Sequence, residues 1–234
     1  AALAHAEEMI REGTAILDIG GESTRPGHQQ ITEEEEIERV APVIEAVKAR
    51  FDVPVSIDSY KAKVAAAAIE AGADLVNDIW GLKYDPEMAG LIARTGVACC
   101  LMHNKNNTEY QDFYPDMLRE TAECVKLAKE AGIADDKIIL DPGVGFGKNY
   151  EQNLETILHM ERFHELGYPM LLGTSRKSVI GLTLDLPADQ RVEGTLVTTV
   201  MAVMKKYAFV RVHDIKENQR TIRMTEAILK AGEN

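Results

Sequence analysis

The sequence predicts a (β/α)8 barrel of the TIM type, with seven of its eight strands inside the 234 residues. Two observations carry that reading. Short β-branched runs alternate with amphipathic helical stretches along the whole chain, as βα units on a parallel sheet do. Each run then ends in a polar or glycine-rich cluster, and α/β barrels build their chemistry at the carboxyl ends of their strands.

Taken in order, the strands are predicted at residues 14–19, 53–58, 74–79, 97–103, 137–141, 168–173 and 208–213. Helical patterns lie between them at 32–49, 61–71, 115–131, 153–165 and 191–205. Three of these stretches run into Ala71-Gly72, Ala131-Gly132 and Leu166-Gly167, where glycine after a helix can take a positive φ. Residues 1–12 read as the middle of an amphipathic helix with no N-cap ahead of them. A barrel of this kind closes with eight strands, so the sequence predicts one strand and its loop upstream of Ala1. The pattern alone also fits an open, seven-stranded doubly wound sheet. No linker, low-complexity tract or change of composition interrupts the chain, so residues 1–234 are expected to form one domain.

Composition bounds the function. A hydrophobic content of 45% is ample for a core, and no apolar run approaches the roughly 18 residues that a membrane helix needs. With no signal-peptide pattern either, a soluble, cytoplasmic protein is expected. A net charge of -12 argues against a general nucleic-acid partner, though not against an anionic small molecule where cations gather locally. Cys99, Cys100 and Cys124 form neither a disulfide framework nor a metal spacing, and read as small buried hydrophobes in a reducing compartment.

The strand-end clusters narrow the chemistry. They are Asp18-Ile19-Gly20-Gly21-Glu22-Ser23-Thr24-Arg25-Pro26-Gly27, Asp58-Ser59, Asn77-Asp78, Met102-His103-Asn104, Asp141-Pro142-Gly143, Gly173-Thr174-Ser175-Arg176-Lys177 and Arg211-Val212-His213-Asp214. One Asp at a strand end is usually a helix cap. Seven clusters on one rim are harder to explain that way. Arg25, Lys177, Arg211 and His213 bring positive or ionisable groups to the rim of an acidic protein, which suggests a diphosphate pocket. Asp58, Asn77 and Asp141 add two carboxylates and an amide, which can pair with the adjacent N–H donors of an amino-pyrimidinone ring. Internal capping remains the bland reading of that trio. No His is spaced to complete a metal site with it, and no Ser–His or Cys–His nucleophile pair is legible.

Those clusters, together with Asp141-Pro142-Gly143-Val144-Gly145-Phe146-Gly147-Lys148, resemble the dihydropteroate synthase family from the first residue to the last helix. The resemblance implies a transferase of folate biosynthesis that joins 6-hydroxymethyl-7,8-dihydropterin diphosphate to p-aminobenzoate. It implies a pterin site of Asp58, Asn77, Ile79, Met102, Asp141, Phe146, Gly173, Lys177 and Arg211, and a diphosphate site of Arg25, Arg211 and His213. It further implies a p-aminobenzoate and sulfonamide site of Thr24, Arg25, Pro26, Phe146, Lys177 and Ser178. Lys177, Asp58, Arg211 and His213 are the catalytic candidates. Mg2+ is implied as cofactor, with no metal ligand assigned in this chain, because the family's ligand lies in the first strand and loop. A homodimer is implied, and residues 194–203, small and apolar, are a candidate interface. The alternatives are a pterin-dependent methyltransferase, which has no use for a diphosphate pocket, and a non-catalytic pterin-binding fragment.

Overall fold

Seven strands and nine α-helices alternate in the computed structural model, which describes residues 2–23 and 29–232. By its contacts the chain divides into two units. The first is Ala1–Asn104 with Glu120–Ile139, and the second is Lys105–Arg119 with Leu140–Asn234.

The first unit runs α1 (Ala2–Glu12), β1 (Leu17–Ile19), α2 (Glu33–Arg50), β2 (Val55–Asp58), α3 (Ala62–Glu70), β3 (Leu75–Asp78), α4 (Met88–Thr95) and β4 (Ala98–Met102). It also holds the second part of α5 (Phe113–Glu130) and the first two residues of β5 (Ile138–Asp141). The sheet order is β1-β2-β3-β4-β5, and the registered pairs are parallel. Every residue of β2 and β3 is buried, which is why these segments are so rich in Val, Ile and Leu. Helix α2 starts where Thr32 accepts the Glu35 N–H at 3.2 Å, and four glutamates fill its first turn, favoured there by the helix dipole. Its inner stripe, Val40, Ile44 and Val47, is buried.

The second unit contains the first turns of α5, the end of β5, α6 (Tyr150–Leu158), a 3-10 segment (Met160–Leu166), β6 (Leu171–Leu172) and α7 (Ser178–Leu184). A further 3-10 turn (Ala188–Gln190), α8 (Val192–Met204), β7 (Phe209–Val210) and α9 (Ile215–Ala231) complete it. Strands β6 and β7 pair in parallel, Leu172 opposite Val210, and Leu140 bridges Met170 in parallel. Met117, Met160, Phe163 and Met170 are fully buried. Tyr114 seals them, its hydroxyl donating to Glu155 O at 2.9 Å.

All seven observed strands fall inside the seven predicted runs, and each is shorter than its run. Part of the reason is local: Pro54 and Pro169 lack the N–H that a ladder needs, and act only as acceptors, from Leu17 at 3.0 Å and Leu140 at 2.9 Å. Gly72, Gly132 and Gly167 do take positive φ, as their positions predict. The stretch expected as one helix over residues 153–165 is two segments, with His159 between them. Helix α4 was not anticipated, and α7 only as a helix of unstated bounds after Ser175. Each is under nine residues and carries an internal glycine, which weakens helical periodicity. In α7 a Cβ on Gly181 would lie 2.2 Å from the Arg191 guanidinium, so a larger residue there would push that side chain away.

Candidate active site

In the first unit the parallel ladder itself builds a polar pair. Asp58 and Asn77 are register partners, and partners in a parallel ladder turn their side chains to the same face. Asn77 Nδ2 donates to Asp58 Oδ1 at 3.2 Å, and both residues are buried. Gly20 leaves room beside them, since a Cβ there would sit 3.3 Å from Asp58 Cβ. Ile79 and Met102, just beyond β3 and at the end of β4, are buried apolar neighbours in sequence of these polar ends.

Asp78 has a different task. One residue on from Asn77, it faces the other side of the sheet and holds a turn. Oδ1 accepts the Trp80 N–H and Oδ2 the Leu82 N–H, both at 2.8 Å, across a turn where Gly81 and Leu82 have positive φ. Burial pushes the Asp78 carboxyl up to about 6, against the pull of those backbone donors. His103, fully buried, is likewise occupied, with Nε2 2.9 Å from Glu120 Oε2.

Thr24, Arg25 and Pro26 lie outside the described residues. Glu22, which precedes them in the chain, belongs to a buried ion cluster. Lys61 Nζ donates to Glu22 Oε2 at 2.6 Å, Glu36 Oε2 at 2.8 Å and Ile31 O at 2.9 Å. Glu22 also accepts the Ile31 N–H at 2.9 Å and the Tyr60 hydroxyl. Burial alone would lower the Lys61 pKa, but the bonds and charges of Glu22 and Glu36 outweigh it and raise it.

In the second unit Asp141, Lys177 and Arg211 act on one another. Asp141 is buried, and burial raises its carboxyl above the ordinary 3.8; Lys177, the Gly143 N–H, Lys148 and Arg211 oppose that shift without cancelling it. Gly173 lies between acid and base: a Cβ built on it would be 3.5 Å from Asp141 Oδ2 and 3.8 Å from Lys177 Nζ. Lys177 Nζ donates to Val144 O and stands 4.7 Å from the centre of the half-buried Phe146 ring. Ser178 opens α7 and is exposed.

The glycine-rich loop after β5 is built around a lysine. Gly143, Gly145 and Gly147 all have positive φ, and Lys148 Nζ reaches back to Gly143 O and Phe146 O, 3.0 Å each. Asn153 Oδ1 accepts the Gly145 N–H at 2.6 Å, and the Tyr110 hydroxyl donates to Gly147 O at 2.7 Å. The ring of Phe146 is therefore carried on a fixed frame.

The loops after β6 and β7 are stapled together twice. Ser175 Oγ accepts the His213 N–H at 3.1 Å and lies 2.9 Å from His213 Nδ1. Arg176 and Asp214 form a two-point ion pair through Nε, at 3.0 Å, and Nη2. A Ser–His pair thus exists where none was legible. Ser175 Oγ is buried and held by a backbone donor, so it is not presented as a nucleophile. Sequence reasoning gave no role to Ser175, Arg176, Lys148, Lys61 or Glu36. The first three sit inside motifs that were recognised, so motif membership was the signal; for Lys61 and Glu36 there was none. Among the described residues no three His, Cys, Asp or Glu side chains converge into a metal cage.

A parallel βα scaffold with a buried, cation-flanked carboxylate at the end of its fifth strand defines the class. Residues 1–213 match the family described as pterin binding enzyme, and the chain belongs to that family, in its dihydropteroate synthase branch. It is 59% identical over 230 residues to the dihydropteroate synthase of Clostridium beijerinckii, covering 98% of this chain and 86% of that one. A dihydropteroate synthase structure from Clostridium difficile, determined in the presence of pteroic acid, is 46% identical with a TM-score of 0.95, over 97% of this chain and 86% of that one. A Yersinia pestis enzyme in complex with a sulfonamide drug is 40% identical with a TM-score of 0.94, over 97% and 85%. The fold class is that of these enzymes, the (β/α)8 barrel, with seven strands among the described residues.

Proposed function

We propose that the chain is a transferase that condenses 6-hydroxymethyl-7,8-dihydropterin diphosphate with p-aminobenzoate, giving 7,8-dihydropteroate and diphosphate. The observation that carries this reading is Asp141, a buried acid held across Gly173 from Lys177 and within reach of the Arg211 charge. A buried carboxylate needs donors, and the amino-pyrimidinone edge of a pterin supplies adjacent ones. Asp58, Asn77, Asp141 and Lys177 are assigned to that ring, with Ile79, Met102, Phe146 and Gly173 as its walls. Arg211 and His213, joined by Arg25, are assigned to the diphosphate. Thr24, Arg25, Pro26, Phe146, Lys177 and Ser178 are assigned to p-aminobenzoate and to the sulfonamides that resemble it.

The chemistry follows from the charges. An arylamine is already unprotonated at neutral pH, so no strong general base is needed, and departure of the diphosphate is the difficult step. The C–O bond to diphosphate breaks, the amine lone pair closes the C–N bond, and the nitrogen then gives a proton to solvent. Arg211 and His213 stabilise the leaving negative charge, and the Asp58 carboxylate offsets positive charge spreading over the dihydropterin ring. This is electrostatic preorganisation without a covalent intermediate. Mg2+ is proposed as companion of the diphosphate; the described residues do not supply a cage for it.

A homodimer is part of the proposal. Val197, Met204, Met224 and Ile228 on α8 and α9 are exposed apolar side chains, and Val200, Met204, Arg220, Thr221, Met224 and Ile228 line a groove between those helices. A cytoplasmic location is proposed too. Among the described residues no helix is long and apolar enough to cross a membrane, and Cys99, Cys100 and Cys124 carry thiols rather than disulfides. The decisive assay mixes the pterin diphosphate with the chain, with and without p-aminobenzoate. Diphosphate release that depends on p-aminobenzoate is expected; intact pterin binding with no release would leave a binding module instead.

A further inference from the structure

Ser175 stands behind His213 with one oxygen and two contacts. Oγ accepts the backbone N–H of His213 at 3.1 Å and lies 2.9 Å from the Nδ1 of the same residue. Ser175 is buried while His213 is exposed, so the serine is a fixed support and the ring faces outward. A serine hydroxyl has one proton and two lone pairs. The backbone N–H takes one lone pair. Among the described residues the hydroxyl proton meets no acceptor other than Nδ1. A neutral imidazole carries a single N–H, and when Nδ1 accepts, that proton resides on Nε2.

We infer that Ser175 is a positioning residue that holds His213 in its Nε2–H tautomer, so that a neutral imidazole offers a hydrogen-bond donor to a diphosphate oxygen. The opposite tautomer would turn a lone pair toward an anion, and the contact would repel. The inference deepens the proposed function and rests on the assignment of His213 to the diphosphate. The support itself is braced on both sides. Arg176, next to Ser175, sits at φ 57 with its N–H on Thr195 Oγ1 at 3.1 Å, and its side chain grips Asp214, next to His213. Ring orientation and tautomer are thus settled before the anion arrives, which lowers the ordering cost of binding.

The test is nitrogen NMR of histidine-labelled chain at a pH of about 8.5, where imidazole is neutral, with His213→Gln assigning the signal. Wild type should show a protonated Nε2 and an unprotonated Nδ1. Ser175→Ala should show the two tautomers mixed, and Ser175→Thr should restore the single form. Calorimetry with inorganic diphosphate should find affinity lowered about twofold in Ser175→Ala and recovered in Ser175→Thr. A tautomer unchanged in Ser175→Ala overturns the inference. Undiminished diphosphate affinity in His213→Gln would instead overturn the assignment beneath it, whatever the tautomer.

Discussion

Arg176 grips Asp214 at two points from a backbone that an L-residue rarely adopts. Its φ of 57 lies in the left-handed region, which costs about 1 kcal/mol for a residue with a Cβ. Three groups over-determine it: Asp214 on the guanidinium, Thr195 Oγ1 on the N–H, and Arg191 Nη1 on the carbonyl at 2.9 Å. Asp214 stands at the N-cap of α9 yet makes no side-chain cap bond, because its carboxylate is engaged by Arg176. Asp214→Ala should therefore lower stability by about 1–2 kcal/mol, a partly buried bidentate pair discounted for exposure, and should weaken diphosphate binding. Urea unfolding reads the first and calorimetry the second; a loss of stability with diphosphate affinity intact would show that the pair supports the fold only.

The cluster at Lys61 predicts a larger effect. Removing its charge would leave Glu22 and Glu36 facing each other in a buried setting, with side chains that are each 2% exposed. Lys61→Met should cost about 3–5 kcal/mol, the range for breaking a buried pair from one side. Equilibrium denaturation checks it. A loss below about 1 kcal/mol would mean that water reaches the two glutamates.

Much of this was legible in the sequence, and for stated reasons. Strand periodicity located all seven strands, since parallel strands buried on both faces cannot hide their apolar character. Asp141 and Lys177 stood out because a charged residue at the end of a buried run needs a reason. What was not legible depends on contacts distant in sequence. Lys61 and Glu22 are 39 residues apart, and Ser175 and His213 38, so no local pattern could pair them. Asp78, to which the sequence reading gave no role, is adjacent to Asn77 but belongs to the opposite face and holds a turn.

Asp141 should be unstable where it is useful. An acid whose pKa is raised on folding contributes stability that is complete below its unfolded value, here 3.8, and lost as the pH rises through the folded value. Its ionised form is a net cost to the fold, which a ligand's N–H donors would offset. Asp141→Asn should then gain stability relative to wild type as the pH rises above 3.8, with the difference shrinking toward pH 3.8. The same variant should lose pterin binding, because the amide puts an NH2 donor where the carboxylate has its second accepting oxygen. Thermal unfolding across that range, with pterin titration at neutral pH, checks both. Equal stability at all pH values would mean that Lys177 and Arg211 neutralise the acid fully.

Gly173 offers the sharpest separation of fold from function. A Cβ there meets Asp141 Oδ2 at 3.5 Å and Lys177 Nζ at 3.8 Å, which are ordinary contacts, and Gly173 is not among the glycines with positive φ. Alanine should fold, with stability changed by less than about 1 kcal/mol. Yet its methyl would occupy the space between the acid and the base, where the edge of a flat ring has to enter. Pterin affinity in Gly173→Ala should fall by about tenfold or more, equivalent to at least about 1.4 kcal/mol, while the melting temperature stays within a few degrees. Unchanged pterin affinity in a well-folded Gly173→Ala would place the ring elsewhere, and Asp141 and Lys177 would then be no more than a structural pair.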